Sequence, residues 1–130
     1  MMSSAEIQGL AQRFADAFGN KDVEAVVGML AEDVEVFDHV PYRFDDKAQF
    51  AGYLSGAFGA FTSMSFAFRQ PSCRMLGDAV GIVNAYDSFA GVTKDGKVQV
   101  LHGRTTLVFG KRGGEWKIVS AHFSPLPQLS

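Results

Sequence analysis

Ile7, Leu10, Ala11, Phe14, Ala17 and Phe18 recur at the three-and-four spacing that places side chains on one face of a helix. Ser3 and Glu6 stand where an N-cap and its reciprocal partner belong. The pattern predicts a first helix to about Phe18, ended by Gly19 in a left-handed conformation. Asp22 then caps a short second helix with the apolar face Val23, Val26, Val27 and Leu30. The β-branched and aromatic run from Val34 to His39 reads as a strand with Val34, Val36 and Asp38 on one face, stopped by Pro41. Asp45 or Asp46 caps a third helix striped by Phe50, Tyr53, Leu54, Ala57, Phe58 and Phe61.

After Thr62 the period changes from 3.6 to 2. Met64, Phe66 and Phe68 alternate with polar positions in a strand that Pro71 bends or interrupts. Turn signals at Gly77 and Asp78, at Lys94 to Gly96 and at Gly110 to Gly114 separate strands over Ala79–Phe89, Val98–Phe109 and Glu115–Phe123. Pro125 and Pro127 keep the tail from extending the last one. The order of helix, helix, strand, helix and four strands predicts an α+β architecture, an antiparallel meander with its helices on one side.

The 130 residues suffice for one core, so a single domain over 1–130 is expected. A hydrophobic fraction of 47% excludes a disordered chain. Twelve basic residues against 14 acidic ones, scattered along the chain, leave no electrostatic footprint for nucleic acid or anionic membrane. The N-terminus lacks the basic patch and apolar run of a secretory signal, and no stretch approaches eighteen apolar residues, so a cytoplasmic protein is expected. Cys73, the only cysteine, excludes an internal disulfide and reads as a half-buried strand residue. His39, His102 and His122 lack the spacing of a metal site, and Gly110, Gly113 and Gly114 lead into a strand rather than a phosphate-binding helix. No metal and no cofactor are expected.

The stretch from Gly103 to Phe109, followed after a glycine turn by Gly114 to Pro125, resembles the carboxyl-terminal hairpin of SnoaL-like proteins, a branch of the nuclear transport factor 2-like superfamily. In its Trp116, then His122, then Ser124 and Pro125, it is also similar to the association domain of calcium/calmodulin-dependent kinase II. The element order of the first half agrees. The resemblance implies a cystatin-like α+β cone with three helices packed on a strongly curved, mostly antiparallel sheet around one pocket. It also implies frequent pairing through the outer face of the sheet, hence a homodimer. The superfamily holds cyclases, isomerases, dehydratases and modules without chemistry, so fold alone does not decide function.

Asp38 shares a strand face with Val34 and Val36, so its carboxylate points where apolar side chains point; burial there raises its pKa toward values useful for proton transfer. The alternative is that Asp38 ends the strand and caps the turn before Pro41. His102, Arg104 and Thr106 share one face of their strand. If that face is concave, Arg104 and His102 could stabilise a developing oxygen charge; if convex, they form a solvated or dimer-facing stripe. Tyr53, Tyr86, Trp116 and His122 are further candidates for ligand contact. Two functions stand side by side. One is a cofactor-independent isomerase, cyclase or lyase acting on a small, largely apolar carbonyl or carboxylate compound, with Asp38, His102 and Arg104 as catalytic residues. The other is a non-catalytic ligand-binding or assembly domain.

Overall fold

Three helices and six strands make up the computed structural model, which describes residues 2–127. Helix α1 (Ser4–Gly19) begins in a capping box: the Glu6 N–H donates to the Ser3 hydroxyl at 3.2 Å and the Ser3 N–H to the Glu6 carboxylate at 3.1 Å. Two amide donors beyond the reach of any helix carbonyl are thereby satisfied. The helix continues through Gly19, and the left-handed residue is Lys21, at φ 59°, rather than the glycine. Gly19 meets a different need, since a Cβ there would lie 3.2 Å from the backbone nitrogen of Phe66. Helix and sheet touch at that point.

Asp22 caps α2 (Val23–Gly28) by accepting from the Ala25 N–H at 3.1 Å. The helix is shorter than its apolar face suggests, because Leu30 turns inward as the first residue of β1 (Leu30–Phe37). A two-residue strand, β2 (Arg43–Phe44), was not indicated by the pattern; it is held by pairing with Val36 and Phe37. Asp46 caps α3 (Lys47–Gly59), accepting from Gln49 at 2.9 Å, and Phe61 opens β3 (Phe61–Leu76) instead of closing the helix.

Strands β3, β4 (Val80–Thr93), β5 (Val98–Arg112) and β6 (Glu115–Pro125) form the expected meander. Pro71 bends β3 without breaking it. Pairing slips between Arg69, opposite Tyr86, and Ser72, opposite Asn84, and Gln70 takes φ 50° to absorb the extra residue as a bulge. The sheet runs β2-β1-β6-β5-β4-β3 and curves without closing. Among the described residues only β1 and β6 pair in parallel.

The inner face is covered by α1 and α3. Ile7, Ala11 and Phe14 bury themselves in one cluster with Val83, Leu107, Phe109, Ile118 and Ala121. Gly81 makes this close approach possible, for a Cβ on it would sit 2.5 Å from the Ile7 Cδ1. Phe14 stacks against Phe68 and Phe123 at 6.2 and 6.0 Å between centroids, and Phe18 meets Phe58 edge-on at 4.8 Å. Along β4, Val83, Ala85 and Asp87 point inward while Asn84, Tyr86 and Ser88 point outward. Along β5, Gly103, Thr105, Leu107 and Phe109 point inward while His102, Arg104 and Thr106 point outward. Among the described residues no helix is long and apolar enough to cross a membrane.

Phe14 is almost wholly buried and bridges the helix to both ends of the meander. Phe14→Ala is expected to cost about 3–5 kcal/mol, measured as a shift of the urea midpoint at constant m-value; a loss below about 1 kcal/mol would show that this contact does not anchor the helix.

Candidate functional site

A cavity of about 230 Å³ lies between the sheet and α3. Its walls are mainly aromatic, formed by Phe18, Phe58, Phe61, Phe66, Phe89 and Phe123, with Leu54, Ala57 and Met64 between them. The exposed lining residues His39, Gln99 and Leu101 mark its mouth. Against this apolar wall stand three other polar groups: Asp38, Tyr53 and Asp87. Among the described residues no lysine or arginine lines the cavity.

Asp38 follows directly on β1 and continues the inward face of Val34 and Val36. Its Oδ1 accepts from the His39 N–H at 2.7 Å, so it caps its own turn while also lining the cavity. Among the described residues its second carboxylate oxygen has no protein partner. Desolvation raises its pKa above the usual carboxylate range; the hydrogen bond from His39 and the His39 charge oppose this, and the charge of Asp87 adds to it.

Asp87 is 7% exposed, in the middle of β4. It is flanked in register by Phe68 on β3 and by Gly103 on β5. Its Oδ2 accepts from the Thr105 hydroxyl at 2.5 Å. A Cβ on Gly103 would lie 2.9 Å from Oδ1, 3.2 Å from Oδ2 and 2.6 Å from the Ser124 carbonyl oxygen. The glycine is what leaves room for the carboxylate. Desolvation raises the Asp87 pKa, while the Thr105 hydrogen bond and the charges of His39 and His102 lower it. Desolvation, and after it the Asp38 and Tyr42 charges, raise the Tyr53 pKa above its ordinary value. The cavity thus offers two carboxyl groups with raised pKa values and a phenol donor, all set in hydrocarbon.

Of the residues singled out from sequence, the structure brings Asp38 and Tyr53 to this cavity. His102, Arg104 and Tyr86 lie on the opposite, outer face of the sheet, because the inward positions of β5 are the odd-numbered ones. The convex alternative for that stripe is therefore the observed one, and Arg104 and His102 do not meet Asp38 in the cavity. His122 is exposed on the outer face, its ring 5.3 Å from that of Phe37. Trp116 is half-buried near the β5–β6 turn, under the Lys111 ammonium at 5.7 Å. Neither lines the cavity. Cys73 is half-buried in β3, with its thiol pKa raised by desolvation, which disfavours the nucleophilic thiolate.

Sequence reading missed Asp87. The signal was present: Asp87 follows Val83 and Ala85 at the strand period, as Asp38 follows Val34 and Val36. The polar residues of the other face, Asn84, Tyr86 and Ser88, masked it.

A family profile described as SnoaL-like domain matches residues 7–128. No curated protein sequence matches at a significant level. Among solved structures, the chain is similar to a candidate calcium/calmodulin-dependent protein kinase II association domain from Xanthomonas campestris, with TM-score 0.87 and 20% identity over 99% of this chain and 91% of that one. It is similar to a candidate scytalone dehydratase from Novosphingobium aromaticivorans, with TM-score 0.84 and 14% identity over 93% and 82%. The kinase II association domain of Caenorhabditis elegans follows with TM-score 0.75 and 17% identity over 92% and 93%. At these identities the likeness is one of fold.

Two outcomes follow from the acid pair. Because desolvation raises both carboxyl pKa values, the folded protein holds protons that the unfolded chain releases from about pH 4. Stability therefore falls as pH rises through that window. Asp87→Asn is expected to melt above wild type at pH 7, with the gap closing toward pH 4; a gap independent of pH in melts over this range would refute the assignment. Gly103→Ala is expected to cost about 1–3 kcal/mol through overpacking, and to recover only part of this when Asp87→Ala is added, since the clash with the Ser124 carbonyl remains; purely additive effects in that double-mutant cycle would show that the glycine serves the backbone alone.

Proposed function

The chain belongs to the SnoaL-like domain family, and on that footing we propose that it binds a small, neutral, largely apolar carbonyl compound in the inner cavity and moves a proton on it. The observation that carries this reading is the pair Asp38 and Asp87 in an aromatic cavity that, among the described residues, no lysine or arginine lines. A volume of about 230 Å³ is the space of roughly eight water molecules, which suits a one-ring molecule. Between the carbonyl and carboxylate ligands that the sequence allowed, the lining favours the first: a carboxylate would be repelled by the acids and would find no arginine or lysine.

The two acids divide the labour through their surroundings. Desolvation raises the pKa of both, but Asp87 has the Thr105 hydroxyl to stabilise its ionised form, and its charge in turn adds to the raised pKa of Asp38. In the proposed step, the Asp87 carboxylate takes a proton from the carbon beside the carbonyl. The C–H electron pair becomes the new C=C bond, and Asp38 gives its proton to the carbonyl oxygen. Tyr53 donates a hydrogen bond to the same oxygen, the role that sequence reasoning gave to Arg104 or His102. Return of the proton at another carbon is an isomerisation; loss of a β-hydroxyl as water is a lyase reaction; attack of the enol on a second carbonyl is a cyclisation. No cofactor takes part. The fold likeness to a candidate dehydratase agrees with chemistry of this kind without choosing among the three.

We further propose a cytoplasmic protein of one domain over residues 1–130 that pairs with itself through the outer sheet face. Val98 and Val100 on that face are 68% and 58% exposed, beside Val92 on β4. The same patch favours the second reading, a ligand-binding or assembly module without turnover, in keeping with the fold likeness to kinase association domains.

The readings separate by exchange of carbon-bound hydrogen. Small cyclic ketones incubated with the protein in D₂O are expected to exchange the hydrogens beside the carbonyl, followed by NMR. Asp87→Asn and Asp38→Asn are each expected to slow this by about 10²-fold or more while ketone binding, read by thermal shift, persists. Ketone binding with no exchange in the wild type would favour the module without turnover.

A further inference from the structure

The outer face carries a second concavity, of about 300 Å³, at the bulge in β3. Gln70, Asn84, Tyr86, Arg104 and Thr106 line it, and none of them is acidic. Register places Arg69, Tyr86 and Arg104 directly opposite one another on three adjacent strands. With strands about 4.8 Å apart, the two arginines stand about 10 Å apart on either side of the tyrosine. Among the described residues neither arginine is in an ion pair. No acid faces outward from the rows on either side.

The donors are arranged as well as present. The Thr106 hydroxyl donates to the Asn84 carbonyl oxygen at 2.6 Å, which leaves the Asn84 amide nitrogen as an unused donor. Gln70 holds a left-handed backbone at φ 50°, a conformation that costs a non-glycine residue energy and that places its side chain on the rim of the concavity. Strained bulges of this kind re-aim side chains beside binding sites. Tyr86, 48% exposed, adds a hydroxyl and an apolar ring.

We infer that this concavity is a binding site for a small carboxylate, held by the guanidinium fork of Arg104 and the amide of Asn84, with Tyr86 beneath its apolar part and Arg69 opposite the tyrosine on the next strand. A carboxylate matches the planar fork with two parallel hydrogen bonds. The site is distinct from the inner cavity, whose lining holds two acids, and on the outer face proposed to pair it lies off the apolar patch around Val98 and Val100.

The test is an NMR titration of the full chain with sodium acetate and sodium benzoate, against sodium chloride at matched ionic strength. The expected result is a saturable shift of the Arg104 Nε–H and the Asn84 side-chain amide, stronger with benzoate, with Kd in the millimolar range (about −4 kcal/mol). Arg104→Gln is expected to raise Kd at least tenfold, and Arg104→Lys, which keeps the charge and loses the fork, to raise it by a smaller factor. Three results would overturn the site: linear shifts that chloride reproduces, saturable binding unchanged in Arg104→Gln, or no acetate response together with a sedimenting dimer that Arg104→Gln dissociates. In the last case the carboxylate belongs to a second copy of the chain. None of these readouts depends on proton transfer in the inner cavity.

Discussion

The alternation of side chains along β4 and β5 is the constraint on which everything else rests. Each strand sends every second residue into the space beneath α1 and α3 and the others into solvent. The inner set is almost wholly apolar: Val83, Leu107 and Phe109 join Phe14 and Ile7 in one buried cluster. Removing that surface from water is the main driving force for folding the meander over the helices. Any polar group that shares the inner face must then live without water. Asp87 is such a group, and its single strong partner, the Thr105 hydroxyl, comes from the same inner face of the next strand.

An acid in that position requires an absence beside it. Gly103 supplies it, since a methyl group there would strike both the carboxylate and the Ser124 carbonyl. Glycines at close approaches recur elsewhere in this fold: Gly81 under Ile7, and Gly19 against the Phe66 backbone. The inner face is thus dense where α1 covers it and hollow where it faces α3, and the two acids sit in the hollow part. Burial without a lysine or arginine sets their chemistry, because low polarity favours the neutral form of each and the charge of Asp87 raises the pKa of Asp38, against the opposing charge of His39 at the mouth.

The sheet also keeps two kinds of chemistry apart. The acids face inward among phenylalanines; Arg69, Tyr86, Arg104 and His102 face outward. Only the thickness of one sheet lies between them. The separation explains why residues that are near neighbours in sequence, Thr105 between Arg104 and Thr106, serve opposite surfaces.

Much of this was legible in the chain. The helical stripes, the capping residues Ser3 and Asp22, Asp46 as one of two candidate caps, the turns and the meander follow from local sequence patterns, which a single sequence displays directly. Asp38 was found because it breaks an apolar face visible over three alternate residues. Asp87 broke another such face and was overlooked in favour of the polar face beside it. What the chain alone determined was therefore the elements, their order and the partition of each strand into two faces. Which face of β5 is concave depends on the curvature of the whole sheet and on where α1 lies, so only the tertiary structure could send Arg104 and His102 outward. The pairing of Asp87 with Thr105, the room left by Gly103 and the bulge at Gln70 were decided there too, because each arises from contacts between segments that sequence distance does not connect.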